Sequence, residues 1–360
     1  MPIVILCLYV AWTLAISLIM SPKPAASLSV TGWLALDVAI LVVLITGFKS
    51  ASALEEVGVK WACVAFACAD VLYFIGNRIG FGIQIDTVTH SKSAYGLSYE
   101  ANLLASTAAI WLFLAISSPK VRTHWTYKLL LPVGFFALIA SFTRAADAAL
   151  IAGLGVWGLL EGYRARQMLF RRLGILLVAA SLLLIAVPSL GSPVAKKLGQ
   201  LTNVDGTTGK VRVTTSSEAL KDMADFNWVL GLGANSFGQR HLDYTRPDQD
   251  VSGYLGVLPL ELVYDGGIVA ILLLLYAFFT LRPFRLASPA RALGLLVVYV
   301  VASLATSPFW LGSTWVIVAL GVLAARRRET VPVAVPVREA YSALGNPAVS
   351  TRATVAAGVR

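Results

Sequence analysis

Residues 127–163 read YKLLLPVGFFALIASFTRAADAALIAGLGVWGLLEGY, an apolar stretch with Arg144 and Asp147 near its middle. As one helix its 37 residues would run about 55 Å at about 1.5 Å per residue, against a hydrocarbon core of about 30 Å. Its flanks decide how it crosses. Lys120 and Arg122 precede it and Lys128 is its second residue, and Arg164, Arg166, Arg171 and Arg172 come after it. Basic residues collect in cytoplasmic loops, so the two clusters belong on one side and an even number of crossings must separate them. The stretch therefore reads as two spans with Arg144 at their outer turn.

The rest of the chain extends this pattern. Of 360 residues 58% are hydrophobic and 13% are charged, where a soluble domain carries about 25% charged residues. That excludes soluble, disordered and fibrous classes and predicts an all-α polytopic membrane protein. Apolar runs at about 1–20, 30–48, 59–77, 101–117, 127–143, 146–162, 173–190, 255–281, 292–308 and 310–325 give about ten transmembrane helices. Residues 1–20 lack a basic leader and a cleavage site and read as the first span. Alternate loops, from Lys49 and Lys60 to the tail, hold eighteen of the 29 basic residues. The expected topology is N-in and C-in. Helices 1–7 fill residues 1–190, an extracytoplasmic loop with short helices fills 191–254, helices 8–10 fill 255–325, and 326–360 is a basic disordered tail. Cys7, Cys63 and Cys68 lie in apolar runs without redox or zinc spacing and read as small hydrophobes.

Charge inside a bilayer is rare enough to mark function. Asp37 and Asp70 lie within the second and third spans with no basic residue on the same span, and read as protonated or hydrogen-bonded to a neighbouring helix. Arg144 and Asp147 are spaced to pair with each other, yet an outer arginine runs against the positive-inside tendency and its fork suits phosphate oxygens. The long loop holds seven basic and seven acidic residues. This local neutrality excludes nucleic acid as a partner. Within the loop, 211–226 is helix-compatible, and a Gly-rich turn around Gly231, Gly233 and Gly238 leads to Arg240 and His241. Gly231-x-Gly233 comes after no βαβ pattern and is no dinucleotide fingerprint. Asp248-Gln-Asp250 has the form of a nucleotide-sugar metal clamp but falls on the wrong side for that chemistry. No His, Cys or carboxylate group has zinc spacing. His241 suits either a hydrogen-bonded loop histidine or a reactive one. In the next span Glu261 and Asp265 lie near the outer interface, and Gly266-Gly267 permits a kink or a close helix contact.

Three pieces of the chain carry a further signal. Ser141-Phe-Thr-Arg144-Ala-Ala closes one span. Gly209-Lys-Val-Arg212, Glu218-Ala-Leu and Trp228-Val-Leu-Gly-Leu-Gly233-Ala-Asn-Ser-Phe237 stand next in the outer loop. Leu260 to Ile268, with Asp265 and Gly267, opens the next span. In this order, over roughly residues 130–281, the chain resembles the O-antigen ligase/polymerase family of bacterial inner-membrane glycosyltransferases. The resemblance implies a multi-pass, C-type glycosyltransferase of the bacterial cell membrane with an outward active site. The donor would be a glycan on undecaprenyl diphosphate and the acceptor a glycan or glycolipid, with inversion and without metal or other cofactor. Carried over by motif, Arg144 and Arg212 would bind the donor diphosphate, and Arg240 of the same loop is assigned with them.

The chain departs from the family at one point. The family's His-Asn pair, about nine residues before the acid of the last motif, would fall near Gly256-Val257, where no histidine stands. His241, Asp250 and Glu261 are then the candidates for the catalytic group that deprotonates the acceptor. The residues alone also suit a transporter or flippase of lipid-linked oligosaccharide. Such a carrier would show repeats and broken helices with charge near the midplane. Charge gathered at one interface favours the enzyme.

Overall fold

The computed structural model describes residues 2–79, 85–86, 91–92, 101–162, 167, 208–241, 255–281, 286 and 288–329, apart from Phe142, Asp225 and Ala305. Helices α1 (Pro2–Met20), α2 (Pro24–Gly47) and α3 (Ala51–Ile79) come first, followed by a two-residue antiparallel ladder of β1 (Ile85–Asp86) and β2 (Ser91–Lys92). Next are α4 (Ala101–Ser117), α5 (Trp125–Ala140) and α6 (Arg144–Glu161). Residues 208–240 supply α7 (Thr208–Asp222) and the single turns α8 (Asn227–Leu230) and α9 (Phe237–Arg240). The chain then returns to long helices in α10 (Leu258–Leu281), α11 (Pro289–Ser303) and α12 (Gly312–Glu329).

The described residues make an all-helical membrane protein. Four helical segments, Ile3–Met20, Pro24–Gly47, Ala51–Ile75 and Leu258–Leu281, are long and apolar enough to cross a bilayer. The helices Ala101–Ser117, Trp125–Ala140 and Pro289–Ser303 and the segment Gly312–Arg326 are apolar but shorter. The seventh expected span, 173–190, lies outside the described residues, as do 191–207, 242–254 and the tail beyond 329. Residues 127–163 do form two helices, separated at Ser141 to Thr143. Several boundaries move, among them the start of α2, at Pro24 rather than near 30, and the end of α11, at Ser303 rather than near 308. α3 starts at Ala51 rather than near 59, because Glu55 is paired and does not end the span. α12 continues through Arg326 to Glu329, so the tail begins later than its first arginine.

Packing explains which faces are which. α4 is buried all round from Ala108 to Ser117 and forms the centre of the bundle, as expected of a helix apolar on every side. Trp33, Val43, Trp61, Ile151, Leu272 and Phe279 instead point their apolar side chains away from the protein, the arrangement that lipid rather than water rewards. α6 and α11 cross where a Cβ on Gly153 would stand 2.7 Å from the Gly294 carbonyl. Small residues at a crossing let two backbones approach, which is how helices associate without a hydrophobic driving force. Of the cysteines, Cys63 is buried and donates to the Thr126 carbonyl at 3.3 Å, while Cys7 and Cys68 are exposed.

One end of the bundle is closed by a buried ion pair. Arg291 of α11 meets Glu55 of α3 with two parallel hydrogen bonds, both 3.1 Å. Two further donors reach Ser117 Oγ at 2.9 Å and the Leu114 carbonyl at 2.8 Å, and Tyr127 of α5 donates to Glu55 at 3.0 Å. Four helices are thereby joined by one buried network. Lys120 capping the Ser52 carbonyl, Ser288 on Glu161 and Arg326 on the Ile45 carbonyl mark the same end. The chain direction of each helix then puts Met20 to Lys23, Ser141 to Arg144, and the turn around Ser307 at the opposite end.

A buried pair that loses one partner leaves a charge uncompensated, at about 3–5 kcal/mol, whereas an apolar replacement of both is often neutral. Arg291→Leu should therefore lower the detergent-solution unfolding midpoint strongly. The double variant Glu55→Leu/Arg291→Leu should recover most of the loss, and equal destabilisation in single and double variants would contradict this account.

Candidate functional site

At the opposite end the backbone of α10 departs from helix geometry at Gly267, with φ +68° and ψ −173°. The Gly266-Gly267 pair is the reason: the positive φ is open to glycine at little steric cost, and a Cβ at Gly267 would stand 2.2 Å from the Val229 carbonyl. Gly231, φ +83°, is the reciprocal requirement, since a Cβ there would lie 2.5 Å from the Gly267 nitrogen. A break inside an apolar span strips carbonyls of helical partners, and in lipid each must find another. Leu232 N–H donates to the Tyr264 carbonyl at 2.7 Å and Gly233 N–H to that of Asp265 at 3.0 Å. Trp12 Nε1–H of α1 donates to the Gly266 carbonyl at 2.8 Å.

The Gly-rich turn is thus sewn into the bundle, and further bonds hold residues 234–240. Ala234 N–H donates to Ser17 Oγ at 2.9 Å, and Asn235 N–H to Asp265 Oδ1 at 3.2 Å. Gln239 Oε1 accepts from Ser21 Oγ at 2.7 Å and from Lys23 N–H at 2.8 Å, while its amide donates to Ser27 Oγ at 3.1 Å. Arg240 donates to the Met20 carbonyl at 2.6 Å, capping the C-terminus of α1. Arg240 remains exposed.

His241 is the next residue. Its ring stacks on Phe237, centroids 4.6 Å apart and planes inclined by 32°. Its Nε2 lies 2.6 Å from Oδ2 of Asp222, the last residue of α7. Tyr264 of α10 donates its hydroxyl to the same oxygen at 2.7 Å, and Asn227 Nδ2–H donates to the Asp222 carbonyl at 2.9 Å. Beneath them Ala219, Met223, Leu232, Phe237, Leu255 and Tyr264 form a small apolar core of their own. The His241 and Asp222 side chains keep 20% and 24% of their surface exposed, so a hydroxyl from outside can reach the pair.

The other expected residues are spread over several elements. Arg212 lies on α7, ten residues before Asp222 and about 15 Å along the axis. Arg144 is the first residue of α6, next to Thr143, whose hydroxyl donates to Asn102 Oδ1 at 3.2 Å. A cation in the first helical turn opposes the helix dipole, so helix stability gives no reason for Arg144 to stand there. Glu261 is buried, and both its oxygens are engaged, one by the Ser307 hydroxyl and one by Trp310 Nε1–H at 2.9 Å. That carboxylate ties α10 to the α11–α12 connection. Asp250 lies outside the described residues. Asp37, Asp70 and Asp265 each keep one buried oxygen without a hydrogen bond among the described residues. Among those residues there is also no group of three His, Cys, Asp or Glu able to hold a metal.

Asp222 and Tyr264 are not expected from the sequence. Nineteen residues separate Asp222 from His241, and no local spacing links them; only the docking of the turn on α10 brings them together. Compared with known proteins, the chain matches no protein-family model and no curated protein.

Replacing Gly267 by alanine combines a strained φ with a clash against the Val229 carbonyl. The expected loss is about 1–3 kcal/mol, with faster hydrogen exchange at the amides of Leu232 and Gly233. Unchanged exchange there would show that the turn does not depend on the break.

Proposed function

We propose that the chain is a membrane glycosyltransferase of the O-antigen ligase/polymerase type. On this reading it transfers or polymerises glycan from an undecaprenyl-diphosphate donor onto an acceptor sugar at the extracytoplasmic face of a bacterial inner membrane. The observation that carries the reading is the His241–Asp222–Tyr264 constellation, partly open to solvent at His241 and Asp222 and held at the same end of the bundle as Arg144 and Arg240. Both termini and the Glu55–Arg291 end then face the cytoplasm, in keeping with the basic residues of those loops.

The chemistry divides among these residues. The acceptor hydroxyl gives its proton to His241 as its oxygen attacks the anomeric carbon, on the face opposite the diphosphate. The bond from that carbon to the phosphate oxygen breaks, its electron pair leaves with undecaprenyl diphosphate, and configuration inverts. Arg144 and Arg212 stabilise the charge that develops on the leaving group. Arg240 spends one of its five donors on Met20 and offers the rest. Glu261, with both oxygens engaged, serves the scaffold.

A carrier for lipid-linked glycan is the competing reading, and the break in α10 is the feature that favours it. In carriers such breaks leave carbonyls to coordinate ions. Here the carbonyls of Tyr264, Asp265 and Gly266 are all occupied by the turn and by Trp12, which favours a rigid site over a moving one.

The test is transfer in proteoliposomes from an undecaprenyl-diphosphate glycan to a glycan acceptor, read as product length. Arg144→Ala and Arg212→Ala should each slow transfer about 100-fold or more, and a chelator should leave the rate unchanged. Full activity in both variants would remove the diphosphate role, and glycan that crosses the bilayer without reacting would establish the carrier.

A further inference from the structure

We infer that Asp222 is the positioning residue of this site, holding His241 as the tautomer with its proton on Nε2 so that Nδ1 is the nitrogen that accepts the acceptor's proton. The inference rests on the glycosyltransferase reading for its chemistry and on the geometry of three converging elements for the rest. Two donors share one Asp222 oxygen: the Tyr264 hydroxyl at 2.7 Å and the histidine nitrogen at 2.6 Å. A carboxylate oxygen that accepts the phenol proton has no proton of its own to give, so the hydrogen on the second contact comes from the ring. In a neutral imidazole only one nitrogen carries a hydrogen, and the lone pair then belongs to Nδ1.

The surroundings keep this arrangement from relaxing. Asp222 ends α7 and is held through its carbonyl by Asn227. Tyr264 is fully buried on α10, so its hydroxyl is a fixed donor rather than a solvent-facing one. Phe237 lies against the imidazole face and Gln239 pins the same turn to α1 and α2. The carboxylate is thus oriented from α10 and the ring from α9, and neither depends on the acceptor being bound. In the transfer step Nδ1 takes the hydroxyl proton while Nε2–H stays on Asp222, whose charge stabilises the imidazolium. The proton passes to water after undecaprenyl diphosphate has left.

The decisive measurement is the ring 15N spectrum of the full chain in lipid nanodiscs, labelled at histidine. The chain has three histidines, His90, His124 and His241, and a His241→Gln sample identifies the signals that matter. The expected neutral spectrum has a protonated Nε2 and an unprotonated Nδ1. Asp222→Asn replaces an acceptor by an amide that can donate to Nε2, so the ring should switch to the Nδ1–H form. Transfer should then lose about 100-fold or more in kcat with KM little changed, while Tyr264→Phe should keep the tautomer and lose about tenfold or less. A wild-type ring protonated on Nδ1 overturns the inference without recourse to any variant, which covers the case of a variant that does not fold. So does a folded Asp222→Asn enzyme with unchanged kcat. A wild type that transfers no glycan overturns the function and the base role together; one that transfers glycan but ignores Asp222→Asn overturns this inference alone.

Discussion

A helix that breaks inside a bilayer must replace, from the protein itself, every hydrogen bond it gives up. α10 breaks at Gly267, and its replacements come from Leu232, Gly233 and Trp12. This one constraint ties together three parts of the chain more than two hundred residues apart in sequence at the extreme. Because the turn must present its N–H groups to α10, Gly231 and Gly233 take positive φ. The next residues are then led across the ends of α1 and α2, where Gln239 and Arg240 find their partners. His241 emerges at a place set first by a backbone repair, and its ring is then held by Asp222 and Phe237.

The two ends of the bundle satisfy polar groups in different ways. At the Glu55–Arg291 end the guanidinium and the carboxylate bond each other and their neighbours, and the result is a buried joint among α3, α4, α5 and α11. Such a pair is more a device for one arrangement of helices than a source of stability. At the other end the polar groups are held but not consumed. The His241–Asp222 pair stays partly open, and Asp265 keeps one buried oxygen without a hydrogen bond among the described residues. The first end is committed to joining helices; the second leaves polar groups within reach of solvent.

Much of the helical layout is legible in the sequence, because apolar run length and the siting of basic residues reflect bilayer thickness and insertion directly. The division of 127–163 into two helices and the break at Gly266-Gly267 both come from such local rules. Glu55 and Arg291 do not. By sequence Arg291 reads as a topological loop charge and Glu55 as a residue ahead of its span, since nothing in the order of residues says that α3 and α11 meet there. The Asp222–His241 pair escapes for the same reason: its partners are joined by tertiary docking, and one acid among the seven of the outer loop carries no mark. Glu261 is the reverse case, an acid in a conspicuous place whose oxygens are taken by Ser307 and Trp310.

Rigid support also bears on what kind of site this is. A general base must sit within hydrogen-bond reach of the proton it removes, and a displacement of about 1 Å is enough to slow such a step about 100-fold. Histidines on loops rarely meet that demand unaided. His241 has an aromatic face beneath it, an anion at one nitrogen, and a backbone anchored on its N-terminal side by Gln239 and Arg240. A loop histidine that only contributed solubility would have no use for a carboxylate oriented by a buried tyrosine from another helix. Support of this kind fixes one ring nitrogen in place, which is what the proposed deprotonation of an acceptor hydroxyl would demand.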